Sequence, residues 1–193
     1  QTDEGLATDA VLLEVAHRLA PQDSRLPFDS WLPGLRRLAA NKISDDIVNL
    51  ATTICKHDER MMGPVFEALS PRARRYELGQ YFTPPIIARY MGKMVKAANP
   101  ETVLDPAVGA GVLFSELKAS TRLAGLDINP VCAALALGGL ASRGYPSLDI
   151  SVGDFLEDKQ SLFSGGSRAT EQVDAVICNP PYLRQHLLYA NEK

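Results

Sequence analysis

Four short apolar runs in the second half of the chain each end at a cluster of turn-forming residues: TVLD before PAVGAG, RLAGLD before INP, LDISV before GDF, and VDAVIC before NPPY. Short runs bounded in this way read as strands, and the first two are followed by stretches with the length and spacing of helices. Strands that alternate with helices run parallel, because the crossover, unlike a hairpin turn, returns the chain to the same end of the sheet. The pattern therefore asks for an α/β fold, an open parallel sheet with helices on its faces. The last run closes on Asn179, Pro180, Pro181 and Tyr182. Two consecutive prolines donate no backbone hydrogen bond and stiffen the chain, so this segment cannot continue a central strand. Something is held rigidly at a strand end.

The first 78 residues read as all-helical. Val11, Leu12, Val15 and Leu19 recur at helical spacing over Asp9 to Ala20, ahead of Pro21. A Pro-rich loop, PQDSRLPFDSWLPG, follows, with Phe28 and Trp31 as anchors into a core. Ser44 is a good N-cap for a second helix with Ile47, Leu50, Ala51 and Ile54 on one face. A third helical stretch runs from Gly63 to Leu69 and ends at SPRARRY. The expected division is a helical region over 1–78 and an α/β domain over 79–193. At the start of the latter, Thr83 is expected to cap a helix that has Pro84 and Pro85 in its opening turn. Ile87, Tyr90, Met91, Met94 and Val95 supply the buried stripe of that helix. Between the last two strands, SLFSGGSRATEQ reads as a polar loop.

Bulk properties exclude more than they select. A hydrophobic fraction of 46% permits a core, and a formal net charge of −3 gives no overall attraction for nucleic acid or an acidic membrane. Contact with nucleic acid must be local or supplied elsewhere; Arg72, Arg74 and Arg75 are one basic cluster that could serve, or a solvated helix end. Cys55, Cys132 and Cys178 are odd in number, widely spaced and without a C-x-x-C pair or a histidine at zinc-ligand spacing. They read as reduced thiols of a cytosolic protein. His17, His57 and His186 are isolated, so no metal is expected. No apolar run reaches the roughly 18 residues of a membrane span, and the N-terminus carries no charged-then-apolar signal pattern.

The turn DPAVGAG, residues 105 to 111, follows a strand and opens a helix. Gly109 and Gly111 there permit a ligand to approach backbone N–H groups closely. Asp127 ends the next strand, where an acidic side chain can accept from both hydroxyls of a ribose. The pairing indicates an adenosine-containing ligand, although a tight turn without a ligand uses the same residues. Phe114 stands where the third glycine of a dinucleotide fingerprint would fall, and Asp105 would repel pyrophosphate but could bind an ammonium. The cofactor favoured by this arrangement carries an amino acid and a ribose: S-adenosylmethionine. After the third strand, Asp154 and Phe155 can accept from an adenine amino group and cover the base, or form a surface turn with a core Phe.

The chemistry of NPPY follows from the weakness of an exocyclic amino group as a nucleophile, its lone pair being delocalised into the ring. The Asn179 side-chain oxygen and the Pro180 carbonyl could accept its two N–H groups and localise that lone pair. The prolines fix the direction of the carbonyl, and Tyr182 offers a face for stacking, as for an extruded base. In a doubly wound sheet the fourth strand lies beside the first, which brings Asn179 to the DPAVGAG loop.

With DPAVGAG, GLDINP, GDFL and NPPY in order, and GQYFTPPIIARYM upstream, the chain resembles the S-adenosylmethionine-dependent adenine-specific DNA methyltransferases of restriction-modification systems. It looks like those whose cofactor-binding segment precedes the Gly-rich loop and whose NPPY follows it, as in type I modification subunits and type IIG enzymes. The resemblance runs from Gly79 to about Tyr182 and implies a Rossmann-like methyltransferase sheet, of which the first four parallel strands are present. It implies N6 methylation of a flipped adenine in double-stranded DNA. Carried over by motif, Tyr81, Phe82 and Thr83 line the cofactor pocket near its methionine end, above a loop of Asp105, Ala107, Gly109 and Gly111. Asp127 and Ile128 hold the ribose and adenine, Asp154 and Phe155 the adenine, and Asn179, Pro180, Pro181 and Tyr182 the target base, with Asn179 bordering the cofactor as well. One departure is Ala107-Val108, where many relatives carry a small polar or aromatic residue.

The resemblance also implies about three further strands and a target recognition domain beyond Tyr182. On that expectation the chain is a fragment that does not methylate DNA unaided, and a specificity or nuclease domain or subunit is its expected partner. The implied setting is the cytoplasm of a bacterium or archaeon, with no membrane association. Two other readings use the same residues: methylation of an RNA base or a protein glutamine amide, and a non-catalytic subunit that keeps the cofactor fold for assembly or DNA docking.

Overall fold

The computed structural model describes residues 3–21, 44–77, 81–145, 147–156 and 173–181. Phe28, Trp31, Gly79, Gln80, the polar loop over 161–172, Tyr182 and His186 lie outside the described residues.

The strands β1 (Thr102–Asp105), β2 (Arg122–Asp127), β3 (Leu148–Val152) and β4 (Ala175–Val176) form one parallel sheet in the order β3-β2-β1-β4. Thr102 to Asp105 pair with Arg122 to Gly125, and Val103 and Leu104 pair on the other side with Ala175 and Val176. The chain thus winds outward from β1 to β3 and returns across β1 to β4. The reversal between β1 and β4 opens a crevice at the carboxyl edge, as expected of a Rossmann-like α/β fold. Val103, Leu104, Leu123, Ala124 and Leu126 are buried, as interior strands of a covered parallel sheet require.

The six helices among the described residues are α1 (Asp3–Leu19), α2 (Asp45–His57), α3 (Met62–Leu69), α4 (Arg72–Glu77), α5 (Pro85–Ala97) and α6 (Pro130–Ser142). Every residue of α6 from Val131 to Leu140 is buried. A helix that is apolar all round must be covered on several sides. Here β2 and β3 cover one side and α1 the other. Gly138 lies where α1 crosses, so that a Cβ would run into the Ala16 carbonyl, and the Met62 side chain occupies the space that a Cβ on Gly139 would need. One buried cluster accordingly includes Leu12, Val15, Val48, Met62 and Phe66 together with Val103, Phe114, Leu123 and Leu135. Helices before residue 78 and the sheet after it share a core.

Several local expectations are corrected by packing. The helix expected after the Gly-rich turn is a short 3-10 segment, Val112–Glu116. Two of its carbonyls and that of the following Leu117 accept from side chains outside it: Tyr145 Oη donates to the Phe114 and Leu117 oxygens at 3.2 and 3.0 Å, and Arg143 Nη1 to Ser115 at 2.8 Å. Those oxygens would otherwise accept the next turn of an α-helix. In α5 the buried residues are Ala88 and Gly92, with Met91 and Val95 half-buried, whereas Ile87, Tyr90 and Met94 are exposed. Gly92 decides this, since its missing side chain admits the Glu116 Cβ to 2.9 Å from where its own would stand. The cap of α5 is Pro84, not Thr83, which is buried and hydrogen-bonded elsewhere. In α2, Ser44 is the N-cap without a side-chain bond, and Val48, Ala51, Thr52 and Cys55 are buried while Ile47 and Leu50 are exposed. Helix α1 begins six residues before Asp9, at Asp3, and buries Ala10, Leu13 and Ala16 beside the expected apolar residues.

Candidate active site

The carboxyl edge of the sheet collects Asp105 at the end of β1, Asp127 at the end of β2, Asp154 two residues after β3, and Asn179 three residues after β4. Parallel pairing in this order brings the loops after β1, β2 and β4 together.

Asp105 is fully buried. Its Oδ1 accepts from the Ala107 N–H at 3.0 Å, which turns the chain into the loop, while Oδ2 is buried without a hydrogen-bond partner. Burial pushes the carboxyl up to about 7; the Ala107 N–H opposes this and the charge of Asp127 adds to it. The thiol of Cys178, next to Asn179, lies against the carboxyl, and burial together with the Asp105 charge pushes that thiol up to about 11. A thiol held so high is protonated at neutral pH and is no nucleophile. All three cysteines are free, and Cys55 is likewise pushed up to about 11 by burial.

Asp127 ties two loops. Its Oδ2 accepts from the Gly109 N–H and its Oδ1 from the Asn129 N–H, both at 2.8 Å. Burial raises its pKa, and these two backbone donors hold it back. Asn129 then caps α6, its Oδ1 accepting from the Val131 N–H at 2.9 Å, with Pro130 at the first helical position. Two further loop donors are satisfied internally: the Val108 N–H donates to Leu126 and the Gly111 N–H to Val108. Gly109 and Gly111 both have positive φ, +53° and +80°. Gly111 is further required by packing, because a Cβ would stand 3.3 Å from the Ala136 Cα. Since these N–H groups are committed, the loop offers shape and a carboxyl rather than a cradle of donors for phosphate.

The FTPP segment closes over this loop. A Cβ on Gly109 would meet the Phe82 ring at 3.3 Å. Phe82 also packs edge-on against Phe66 of α3, with centroids 5.0 Å apart, and its N–H donates to Glu67 Oε1 at 3.4 Å. Arg75 of α4 lies 3.7 Å from the same Glu67 oxygen. Arg75 is therefore engaged in holding this segment, Arg72 is exposed, and the Arg74 side chain lies outside the described residues. Beside Phe82, Thr83 Oγ1 accepts from Asn179 Nδ2 at 2.9 Å, joining the FTPP segment to the loop after β4.

The remaining candidates are less buried. Tyr81, Ile128 and Phe155 are exposed, Ala107 and Asp154 half-buried, and Pro180 and Pro181 exposed. Asp154 Oδ1 accepts from the Leu156 N–H at 2.9 Å. Tyr182 lies outside the described residues. Sequence reasoning passed over Phe66, Glu67 and Asn129, and read Arg75 only as a phosphate contact or solvated helix end and Cys178 only as a reduced thiol. Asn-Pro ahead of an apolar run is a legible helix start that could have identified Asn129; the others carry no local signal. Among the described residues no group of three or more His, Cys, Asp and Glu side chains could hold a metal ion, and no helix is long and apolar enough to cross a membrane.

Comparison with known proteins identifies a family for the chain. The profile of the family described as N-6 DNA Methylase matches residues 58–193, well over half of the chain. Among curated proteins, a type I restriction enzyme MjaVIII methylase subunit from Methanocaldococcus jannaschii is 28% identical over 128 residues, covering 60% of this chain and 22% of that protein. The type II methyltransferase M.BanIII from Aneurinibacillus aneurinilyticus is 29% identical over 140 residues, covering 61% of this chain and 24% of that protein. The chain thus spans about a quarter of the length of these relatives.

Proposed function

The chain belongs to the N-6 DNA Methylase family, and on that premise we propose that its protein transfers a methyl group from S-adenosylmethionine to the exocyclic N6 of adenine in DNA, within a restriction-modification system of the bacterial or archaeal cytoplasm. The observation that carries this reading is Asp105: a fully buried carboxyl whose Oδ2 meets no N–H or O–H donor and which has only the weak thiol donor of Cys178 beside it, at the carboxyl edge of the sheet one strand from Asn179. A buried acceptor of this kind calls for a cationic donor, and the ammonium of a bound amino acid is the group that fits. The committed N–H groups of the loop argue in the same direction, since they favour a sulfonium nucleoside over a pyrophosphate.

When bound, S-adenosylmethionine supplies an electrophilic methyl on a positively charged sulfur. Asp105 is assigned to its ammonium, Asp127 with Ile128 to its ribose and adenine, and Asp154 with Phe155 to the adenine. Tyr81, Phe82 and Thr83 border its methionine end, over the loop of Ala107, Gly109 and Gly111. Phe82 excludes water from above Gly109. Asn179 Oδ1 and the Pro180 carbonyl accept the two N–H groups of the target amine, Pro181 holds that carbonyl in direction, and Tyr182 stacks on the base. Accepting both hydrogen bonds draws the nitrogen lone pair out of the ring. The bound cofactor would give its methyl to that nitrogen and keep the electron pair of the broken C–S bond on sulfur, and the extra proton of the amine would leave to water. Double-stranded DNA is read by a recognition region beyond these residues, with a specificity or nuclease domain or subunit as partner; the type I relative is named a methylase subunit of a restriction enzyme, which supports an assembly of subunits.

The test is methylation by the full-length protein of DNA, RNA and protein substrates, with digestion and mass spectrometry of the products. N6-methyladenine in DNA is expected. Methyl groups found only on RNA or on glutamine, or on nothing at all, would overturn the reading.

A further inference from the structure

The hydrogen bond between Asn179 and Thr83 spans 96 residues of chain and joins two segments of the same design. Each partner is followed by two prolines: Thr83 by Pro84 and Pro85, Asn179 by Pro180 and Pro181. A residue before proline is confined to extended backbone, and proline fixes its own φ, so neither partner can swing away without moving its element. Thr83 is buried, at 7% exposure, and its β-branched side chain is stiff about χ1. Behind it, Phe82 is held by Phe66 and Glu67. The result is a buried hydroxyl at a fixed point against the amide of Asn179.

We propose that Thr83 is a positioning residue for methyl transfer: by accepting from Asn179 Nδ2 it commits the nitrogen end of the amide and turns the oxygen end to the target amine. This rests on the methyl-transfer reading of Asn179. An adenine amino group can only donate, because its lone pair is delocalised, so the Asn179 amide must meet it with oxygen. The nitrogen end then needs an acceptor of its own, and Thr83 Oγ1 is that acceptor in the structure. Without it the amide loses the partner that fixes its rotation, and an N–H directed at the target would repel the group it has to hold. The hydroxyl is thus assigned to the target side of the site rather than to the affinity of the cofactor.

The test compares wild type, Thr83→Val, Thr83→Ala and Thr83→Ser in the full-length protein, by single-turnover methylation of DNA and by titration with S-adenosylmethionine. Thr83→Val keeps the shape and removes the acceptor; Thr83→Ser keeps the acceptor. A lost hydrogen bond of ordinary strength lowers the methyl-transfer rate about ten-fold in Thr83→Val. Cofactor Kd is expected to change less than about three-fold, and Thr83→Ser to return within about three-fold of wild type. Thr83→Ala repeats the loss should the valine variant misfold, which circular dichroism reports. A wild-type rate in both Thr83→Val and Thr83→Ala, a loss of cofactor affinity as large as the loss of rate, or equal impairment of Thr83→Ser would each overturn the inference. A wild-type protein that methylates no adenine overturns the underlying reading instead, and the inference with it.

Discussion

Asp127 accepts the Gly109 N–H at 2.8 Å across the sheet edge, so the end of β2 holds the Gly-rich loop of β1 in place. The same carboxylate also accepts from Asn129, which caps α6. A residue assigned to a ribose is thereby a structural tie in the protein itself. On the proposed assignment, one side chain links the affinity of the site to the shape of the loop.

Asp127→Asn is therefore expected to destabilise the protein in the absence of any cofactor. An amide offers one acceptor oxygen where the carboxylate offers two, so one backbone N–H, of Gly109 or Asn129, loses its partner. The cost is about 1–2 kcal/mol, a drop of several degrees in the melting temperature of a domain this size. Thermal unfolding without ligand checks this. An unchanged melting temperature would contradict the tie.

Asp105 predicts a dependence of stability on pH. Its folded pKa, about 7, lies above the roughly 3.9 of an unfolded aspartate. Between these values the folded state retains a proton that the unfolded state releases. Stability is consequently full below about pH 4 for this group and falls as pH rises towards 7. Asp127, raised in the same sense, adds to the slope. Urea unfolding at a series of pH values should show the decline, and Asp105→Asn should flatten it. An ammonium beside Asp105 favours the ionised carboxyl, so cofactor affinity should rise over the same interval in wild type but not in Asp105→Asn.

Two glycines carry different packing constraints. At Gly111, alanine would need φ near +80° and would press on Ala136 and Leu140. At Gly138, alanine would collide with the Ala16 carbonyl and push α1 from α6. Each substitution is expected to cost about 1–3 kcal/mol. Gly111→Ala should also disturb cofactor binding, because it deforms the loop, whereas Gly138→Ala should leave cofactor Kd unchanged in the fraction that folds. Calorimetric titration alongside thermal unfolding separates the two effects.

Phe82→Leu removes an aromatic ring that packs on Phe66 and covers Gly109. A loss of about 1–2 kcal/mol in stability is expected from the lost ring contact and imperfect refilling. Cofactor affinity should fall by more than this destabilisation explains, since the cover over the loop is lost as well. Equal affinity in wild type and variant, measured well below the melting temperature, would remove Phe82 from the site.

Much of the architecture was legible in the sequence because its signals are local. Apolar runs ended by Asp-Pro, Asn-Pro and Pro-Pro mark strand ends, and alternation with helices makes the sheet parallel. Winding rules for such sheets then bring the fourth strand beside the first. The acidic strand ends Asp105 and Asp127, and Asn179 before its two prolines, follow from the same reading. What only the tertiary structure decided are choices between equivalent local options. The turn after Gly111 became a 3-10 segment because Tyr145 and Arg143 take its carbonyls. Helix α5 buried Ala88 and Gly92 rather than its larger apolar residues because Glu116 packs at Gly92. Thr83 bonded to Asn179 instead of capping a helix. A hydroxyl, a carbonyl or an apolar face can be satisfied by a neighbour in sequence or by one brought across the fold. Local pattern records the first possibility, and packing selects between the two.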